Sequence, residues 1–229
     1  MEYNLRRAPQ YIWRKMWDYS PAYNILLKIY GYKNRNIQFN PLETFYINPS
    51  VLESTVGPIS PAAPHKYHIE EINRPFGMSN SIGSILDGDW DVENGDLTDL
   101  LTFRAFDNRF RNNQEWQETT YYKKHLKCIT NGYQSLGCRS RSELDDKFDY
   151  YEELYSKIKN NGVLSQEMLR EHPLEGINIA LDRNGTPLYI GHGRHRLIIS
   201  KIIGIDKVPV KILIRHKDLL IPSHGLVEM

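Results

Sequence analysis

The segment Gly191-His192-Gly193-Arg194-His195-Arg196 gathers more reactive and ligand-binding chemistry than any other six residues of the chain. Glycines let the backbone take angles that bring several N–H groups onto one ligand. Two arginines can clamp phosphate oxygens, and two histidines can give or take protons near neutral pH. If a helix begins at Arg194, its N-terminus adds partial positive charge. Together these features describe an anion site, most naturally one for the phosphates of a nucleotide. Gly191, His192, Gly193, Arg194, His195 and Arg196 are the expected phosphate-binding residues, with His195 also a candidate for proton transfer. A metal site on His192 and His195 lacks evident third and fourth ligands. A surface turn with solvated charges is the plainer alternative.

A second group is acidic: Asp87-Gly88-Asp89-Trp90-Asp91. Phosphoryl transfer needs cations on the phosphates, usually Mg²⁺, and a carboxylate to orient or deprotonate the acceptor. In an extended segment Asp89 and Asp91 share one side and Trp90 points the other way, toward the core. Asp89 and Asp91 are therefore the candidate base or Mg²⁺ ligands. An acidic loop around a buried Trp is the competing reading. Glu115 and Glu118, with Trp116 between them, are placed on a helix and read mainly as structural.

These residues must be positioned by regular elements. Ser140 with Glu143 is a capping-box signal, and Phe148, Tyr151, Leu154, Tyr155 and Ile158 then mark one helical face up to Gly162. Ile177, Ile179 and Leu181 alternate as in a half-buried strand. Asn184-Gly185 is a hairpin turn, and Leu188 to Ile190 returns. Arg194 to Ile203 reads as a helix stopped at Gly204, and Val208 to Ile214 alternates again, ending at Arg215-His216. Upstream, Thr44 to Ile47 is a short strand, Gly57 to Pro64 is a loop, and Leu101, Phe103, Phe106 and Phe110 open a helical pattern that runs toward Trp116.

The stretch from Ser142 to His216 resembles the ParB/sulfiredoxin-like superfamily. The resemblance lies in Leu154-Tyr155-Ser156-Lys157-Ile158-Lys159-Asn160-Asn161-Gly162, Ile177-Asn178-Ile179-Ala180, Gly193-Arg194-His195-Arg196-Leu197, Lys201-Ile202-Ile203-Gly204 and Val208-Pro209-Val210. Thr44 to Leu52 looks like the opening strand and turn of that fold. The middle of the chain, marked by Gly88-Asp89-Trp90-Asp91 and Trp116-Gln117-Glu118-Thr119, resembles an insertion carried by a subset of prokaryotic and viral relatives. The resemblance implies a site for CTP, ATP or ADP, with Gly193 and Arg196 on the phosphates. Arg194 stands at the sulfiredoxin cysteine position, so sulfinic-acid reduction has no thiolate to begin it. His192 stands where the free serine kinase branch carries an aspartate. Only 13 residues follow His216, so the helix-turn-helix of the chromosome-partitioning branch is not expected.

The expected fold class is α+β (mixed α/β): a small sheet flanked by helices, an N-terminal helical extension over residues 1–36, and one domain over 37–229 with a mostly helical insertion at about 60–140. The extension carries seven basic residues against Glu2 and Asp18, and Ile12, Trp13, Met16 and Trp17 share a helical face in it. Packing on the domain, or contact with a membrane surface or a protein partner, would suit it.

Composition narrows the rest. A chain of 229 residues with 40% hydrophobic and 25% charged residues can build a full core. Its formal net charge of +1 speaks against bulk nucleic-acid binding. Cys128 and Cys138 are ten positions apart, too few and too badly spaced for a disulfide framework or a cysteine zinc site. No apolar run reaches the roughly 18 residues of a membrane span, and no secretory signal is recognisable. A soluble cytoplasmic protein is expected, with peripheral membrane attachment as an alternative. The leading expectation is a nucleotide-dependent phosphotransferase or NTPase using Mg²⁺ and an unidentified acceptor. The alternatives are a nucleotide-gated binding module without turnover and a nucleic-acid-binding or nuclease-like protein.

Overall fold

The computed structural model describes residues 37–62, 69–77 and 81–219. The N-terminal extension expected over residues 1–36 lies outside the described residues. The fold is α+β.

The strands are β1 (Thr44–Ile47), β2 (Ser54–Val56), β3 (Ile59–Pro61), β4 (Glu70–Ile72), β5 (Ser84–Leu86), β6 (Asn94–Asp96), β7 (Ile177–Leu181), β8 (Pro187–Gly191) and β9 (Val208–His216). The helices are α1 (Leu101–Asn112), α2 (Thr120–Thr130), α3 (Arg141–Asn161), the short α4 (Gln166–Leu169) and α5 (Arg194–Ile203). The main sheet runs β1-β9-β7-β8-β2-β6, and β5 pairs with the far half of β9. β7 and β8 form the antiparallel hairpin expected around Asn184-Gly185. From α3 to β9 the structure follows the order read from the sequence (helix, strand, turn, strand, glycine loop, helix, strand), with the short α4 and a 3₁₀ turn at Pro173–Glu175 added between α3 and β7.

Burial explains where the expectations fall short. β7 is buried at all five positions rather than at alternate ones. It lies between β9 and β8, and both faces of the sheet are covered. Ile177, Ile179 and Leu181 join Val208, Val210, Ile212, Tyr189 and Leu197 on one face. Ala180, Leu188, Ile190, Leu213 and Ile214 join Ile82 and Trp90 on the other. The segment expected as a loop from Gly57 contains β3, because Ile59–Pro61 finds a partner in β4. The insertion supplies α1 and α2 but also β4, β5 and β6.

α1, α2 and α3 build an aromatic cluster against α5. The helical pattern expected to run on to Trp116 stops at Asn112, where Asn113 takes a left-handed φ of 54°. Trp116 instead sits on a 3₁₀ turn, Trp116–Glu118, and packs edge-on against Phe106 and Phe148. Its indole N–H donates to Glu152 at 2.6 Å. Glu115 pairs with Arg109 at 3.2 Å. This Trp motif is therefore a packing device. At α3, Ser140 Oγ accepts from Glu143 N at 3.2 Å, while the Glu143 carboxylate accepts from Arg139 N, one residue before the cap.

Candidate functional site

β8 ends in a loop of three consecutive positive φ angles: 131° at Gly191, 54° at His192 and 65° at Gly193. The turn lets the chain leave the sheet and enter α5 at once. Gly193 has a second reason to be glycine. A Cβ there would lie 2.6 Å from Ile177 N and 2.7 Å from Ile177 Cα, so the loop backbone is seated on the start of β7. Gly193 is also the N-cap of α5, and no side chain caps that end. The first N–H groups of the helix are left open to a ligand. His192 holds a backbone angle that only a few per cent of non-glycine residues take.

A chamber of about 370 Å³ lies beneath this loop. Gly191, His192, Gly193, Arg194 and His195 line it, so five of the six expected residues come together. Arg74, Asn178 and Tyr189 line it as well, with Ile82, Leu174 and Leu213. Its size falls within the range of small-molecule sites.

Two arginines face the chamber in different states. The Arg194 guanidinium, 19% exposed, pairs with the Glu70 carboxylate at 3.0 Å. Burial opposes its charge, but Tyr189 and Glu70 together hold its pKa above the ordinary value. Arg74 Nη1 donates to Ile190 O at 2.8 Å and lies over Gly191. Among the described residues no carboxylate is within ion-pair distance of Arg74. Burial pulls its pKa below the ordinary 12.5; Tyr189 opposes this, the Arg194 charge adds to it, and the Glu71 carboxylate offsets it only in part from beyond ion-pair distance. Arg74 is thus a cation short of a counter-charge at the mouth of a helix N-terminus.

Two polar atoms behind it are short of partners. Asn178 and Tyr189 are each 0% exposed. Asn178 Nδ2 donates to Leu174 O at 2.7 Å, while its Oδ1 is buried without a hydrogen bond among the described residues and the Tyr189 hydroxyl has only a poorly formed one, with Arg194. Burial raises the Tyr189 pKa.

Arg196 does not join the chamber. Successive helix residues are turned by about 100°, so Arg194 and Arg196 leave α5 on nearly opposite sides. Arg196 Nη1 donates to Gln166 Oε1 at 3.2 Å and to Glu175 O at 3.0 Å, and Nη2 approaches Glu171 at 3.5 Å. It braces α4 and the segment before β7. His195 lines the chamber, but its ring stacks on Phe106 at 5.4 Å and packs at a tilt on Tyr151 at 4.4 Å. It forms wall between chamber and helical core.

Asp89 and Asp91 lie elsewhere. They sit in a turn rather than an extended segment, since Gly88 takes a φ of 89°. Trp90 does enter the core, against Phe76 and His216. Both carboxylates converge on Arg183 of the β7–β8 hairpin: Arg183 Nη2 reaches Asp89 at 2.8 Å and Asp91 at 2.7 Å, and Arg183 N donates to Asp91 at 2.9 Å. Asp89 and Trp90 line a separate cleft of about 210 Å³ that shares no described residue with the chamber. Asn73 borders that cleft and Arg74 the chamber, so one stretch of backbone divides them. The acidic motif ties the hairpin to the turn before β6.

That tie has a pH signature. The hydrogen bonds from Arg183 hold Asp91 at a pKa of about 2, against an ordinary 3.8. A depressed pKa contributes stability that is complete above about pH 5 and is lost as pH falls through about 2. The loss amounts to at most about 2 kcal/mol, because Arg183 is 35% exposed and solvent screens the pair. Chemical denaturation at pH 6 and pH 3 should show about half of this drop in the native chain, because pH 3 still lies above the folded pKa, and Asp91→Asn should lack that part.

A protein-held Mg²⁺ does not fit the chamber. Such ions are usually bound through one or two carboxylates together with substrate phosphates, and no described Asp or Glu lines it. The nearest carboxylate in the network, Glu70, is taken by Arg194 and by the N-terminus of α1. No group of three or more His, Cys, Asp or Glu with metal-binding geometry occurs among the described residues.

Sequence reasoning missed Arg74, Asn178, Tyr189 and Glu70. A signal existed for one of them: an asparagine between two isoleucines, Ile177-Asn178-Ile179, in a strand buried on both faces. No protein-family model, curated protein or solved structure matches the chain. The assignment of a role therefore rests on the site itself. No helix among the described residues is long and apolar enough to cross a membrane.

Proposed function

We propose that this protein binds a phosphate-bearing small molecule, of the nucleotide class, in the chamber beneath the Gly191–Gly193 loop. The observation that carries the reading is Arg74: a half-buried cation on the chamber wall without a carboxylate in ion-pair distance among the described residues, beside the uncapped N-terminus of α5. A dianionic phosphate answers both features at once. A cavity of about 370 Å³ suits a small molecule better than a polymer, which needs an open groove. In this reading Arg74 and the first N–H groups of α5 hold the phosphate, Arg194 stiffens the wall, and Arg196, Asp89 and Asp91 serve the scaffold. The resemblance to the ParB/sulfiredoxin-like superfamily points to the same ligand class.

A turnover reading, phosphotransferase or NTPase, needs a base inside the chamber. His192 supports it, as a histidine in a strained backbone on the chamber wall. It replaces Asp89 and Asp91 as the candidate proton acceptor. Any Mg²⁺ would then be held by the ligand's phosphates.

The test is a thermal-shift screen of ATP, ADP, CTP and GTP, with and without Mg²⁺, on the native chain and on Arg74→Gln. Ligand at about 100 times its dissociation constant adds about 2.7 kcal/mol, or roughly 5–10 °C for a chain of this size. A shift with one nucleotide that vanishes in Arg74→Gln is the expected result. An equal shift in the variant, or no shift with any nucleotide, would overturn the reading.

A further inference from the structure

The chamber straddles the sheet. Tyr189 belongs to the apolar cluster of one face, whereas Ile82, Leu174, Ile190 and Leu213 belong to that of the other. A ligand that fills the chamber therefore meets two unlike surfaces. One is cationic, with Arg74 and Arg194. The other is apolar and carries Asn178.

Asn178 is the informative residue. Its Nδ2 is committed to Leu174 O, which sets the orientation of the amide. Its Oδ1 is then left as an acceptor, fully buried and unpaired among the described residues. Buried polar groups are almost always paired, so an acceptor of this kind marks the place of a donor. The dianionic phosphate of an ester cannot supply one, because with no P–OH left it only accepts. The donor must come from another part of the ligand, and the surrounding Ile82, Leu174 and Leu213 suit an organic body rather than a second charge.

We infer that the chamber has a second subsite, in which the organic body of a phosphate ester lies against Ile82, Leu174 and Leu213 and gives an N–H or O–H hydrogen bond to Asn178 Oδ1. The inference rests on the phosphate reading above and narrows it: inorganic phosphates would fill only the cationic half. Nucleotides fit, since their bases join N–H donors to flat apolar faces.

Isothermal titration separates the two ideas. Tripolyphosphate, ATP and CTP are titrated into the native chain in one Mg²⁺-containing buffer, and the series is repeated with Asn178→Leu. At least one nucleotide is expected to bind ten times more tightly than tripolyphosphate. Asn178→Leu should weaken that nucleotide about tenfold to a hundredfold and leave tripolyphosphate unchanged. If tripolyphosphate binds the native chain as tightly as both nucleotides, the second subsite is overturned and the phosphate reading survives. If neither kind of ligand binds, the phosphate reading falls and the subsite with it. Should Asn178→Leu fail to fold, the comparison of ligands on the native chain still decides.

Discussion

Glu70→Ala is expected to destabilise the protein by about 3–5 kcal/mol, enough to unfold many chains of this size at 37 °C. Glu70 is 4% exposed and serves three elements at once. Its carboxylate accepts from Leu101 N at 2.6 Å and Thr102 N at 3.2 Å, and so caps α1, whose N-cap Leu100 has no side chain able to do so. It also accepts from the Thr102 hydroxyl and pairs with Arg194. Removing it leaves a guanidinium 19% exposed without its described counter-ion and a helix end without its cap. Urea denaturation should show a lower midpoint with an unchanged slope. A double substitution, Glu70→Leu with Arg194→Met, should recover the part of the loss that comes from orphaning the guanidinium, but not the part that comes from the lost cap on Leu101 N and Thr102 N. If Glu70→Ala alone costs under 1 kcal/mol, the pair is not the lock described.

The second large effect is expected from Gly193→Ala. An alanine Cβ would sit 2.6 Å from Ile177 N, and the contact atoms are backbone, which cannot swing aside. A left-handed φ of 65° adds about 1–2 kcal/mol for any residue with a Cβ, and the overlap adds about 1–3 kcal/mol. The sum is a loss of about 2–5 kcal/mol, together with displacement of the loop over the chamber. Gly204→Ala provides the internal control. Gly204 has a similar φ of 80° but nothing within 4 Å of the new Cβ, so only the backbone strain applies. Equal losses at the two sites would show that the seating of the loop on β7 contributes nothing.

Much of the α+β fold is legible in the order of the residues. The run from α3 to β9 carries strong local signals: a cap at Ser140, a helical stripe through Phe148, Tyr151 and Ile158, a hairpin turn at Asn184-Gly185, and glycine stops at Gly162 and Gly204. Such signals are short-range, and short-range geometry decides them. The insertion is less legible. β3 and β4 are three-residue strands with no pattern of their own, and they exist because they pair. The end of α1 at Asn112 is hidden, since Trp116 continues the apolar pattern although the helix does not.

The candidate site divides in the same way. Residue types and spacing alone point to the glycine loop, its place between a strand and a helix, and five of the chamber's lining residues. They do not tell which way each side chain points once several elements meet. Arg196 shares the motif with Arg194 yet faces Glu171, because a helix turns residues two apart to opposite sides. Asp89 and Asp91 have the right chemistry for a catalytic pair, but Arg183, 92 positions beyond Asp91, engages both in ion pairs. Arg74 is unremarkable in the sequence, Asn178 is marked only by its place between two isoleucines, and the two meet only because the segment after β4 and strand β7 deliver them to one cavity from 104 positions apart. Local geometry is written in neighbouring residues. The pairing of charges, and the gathering of distant polar groups around one cavity, arises only when remote segments pack together.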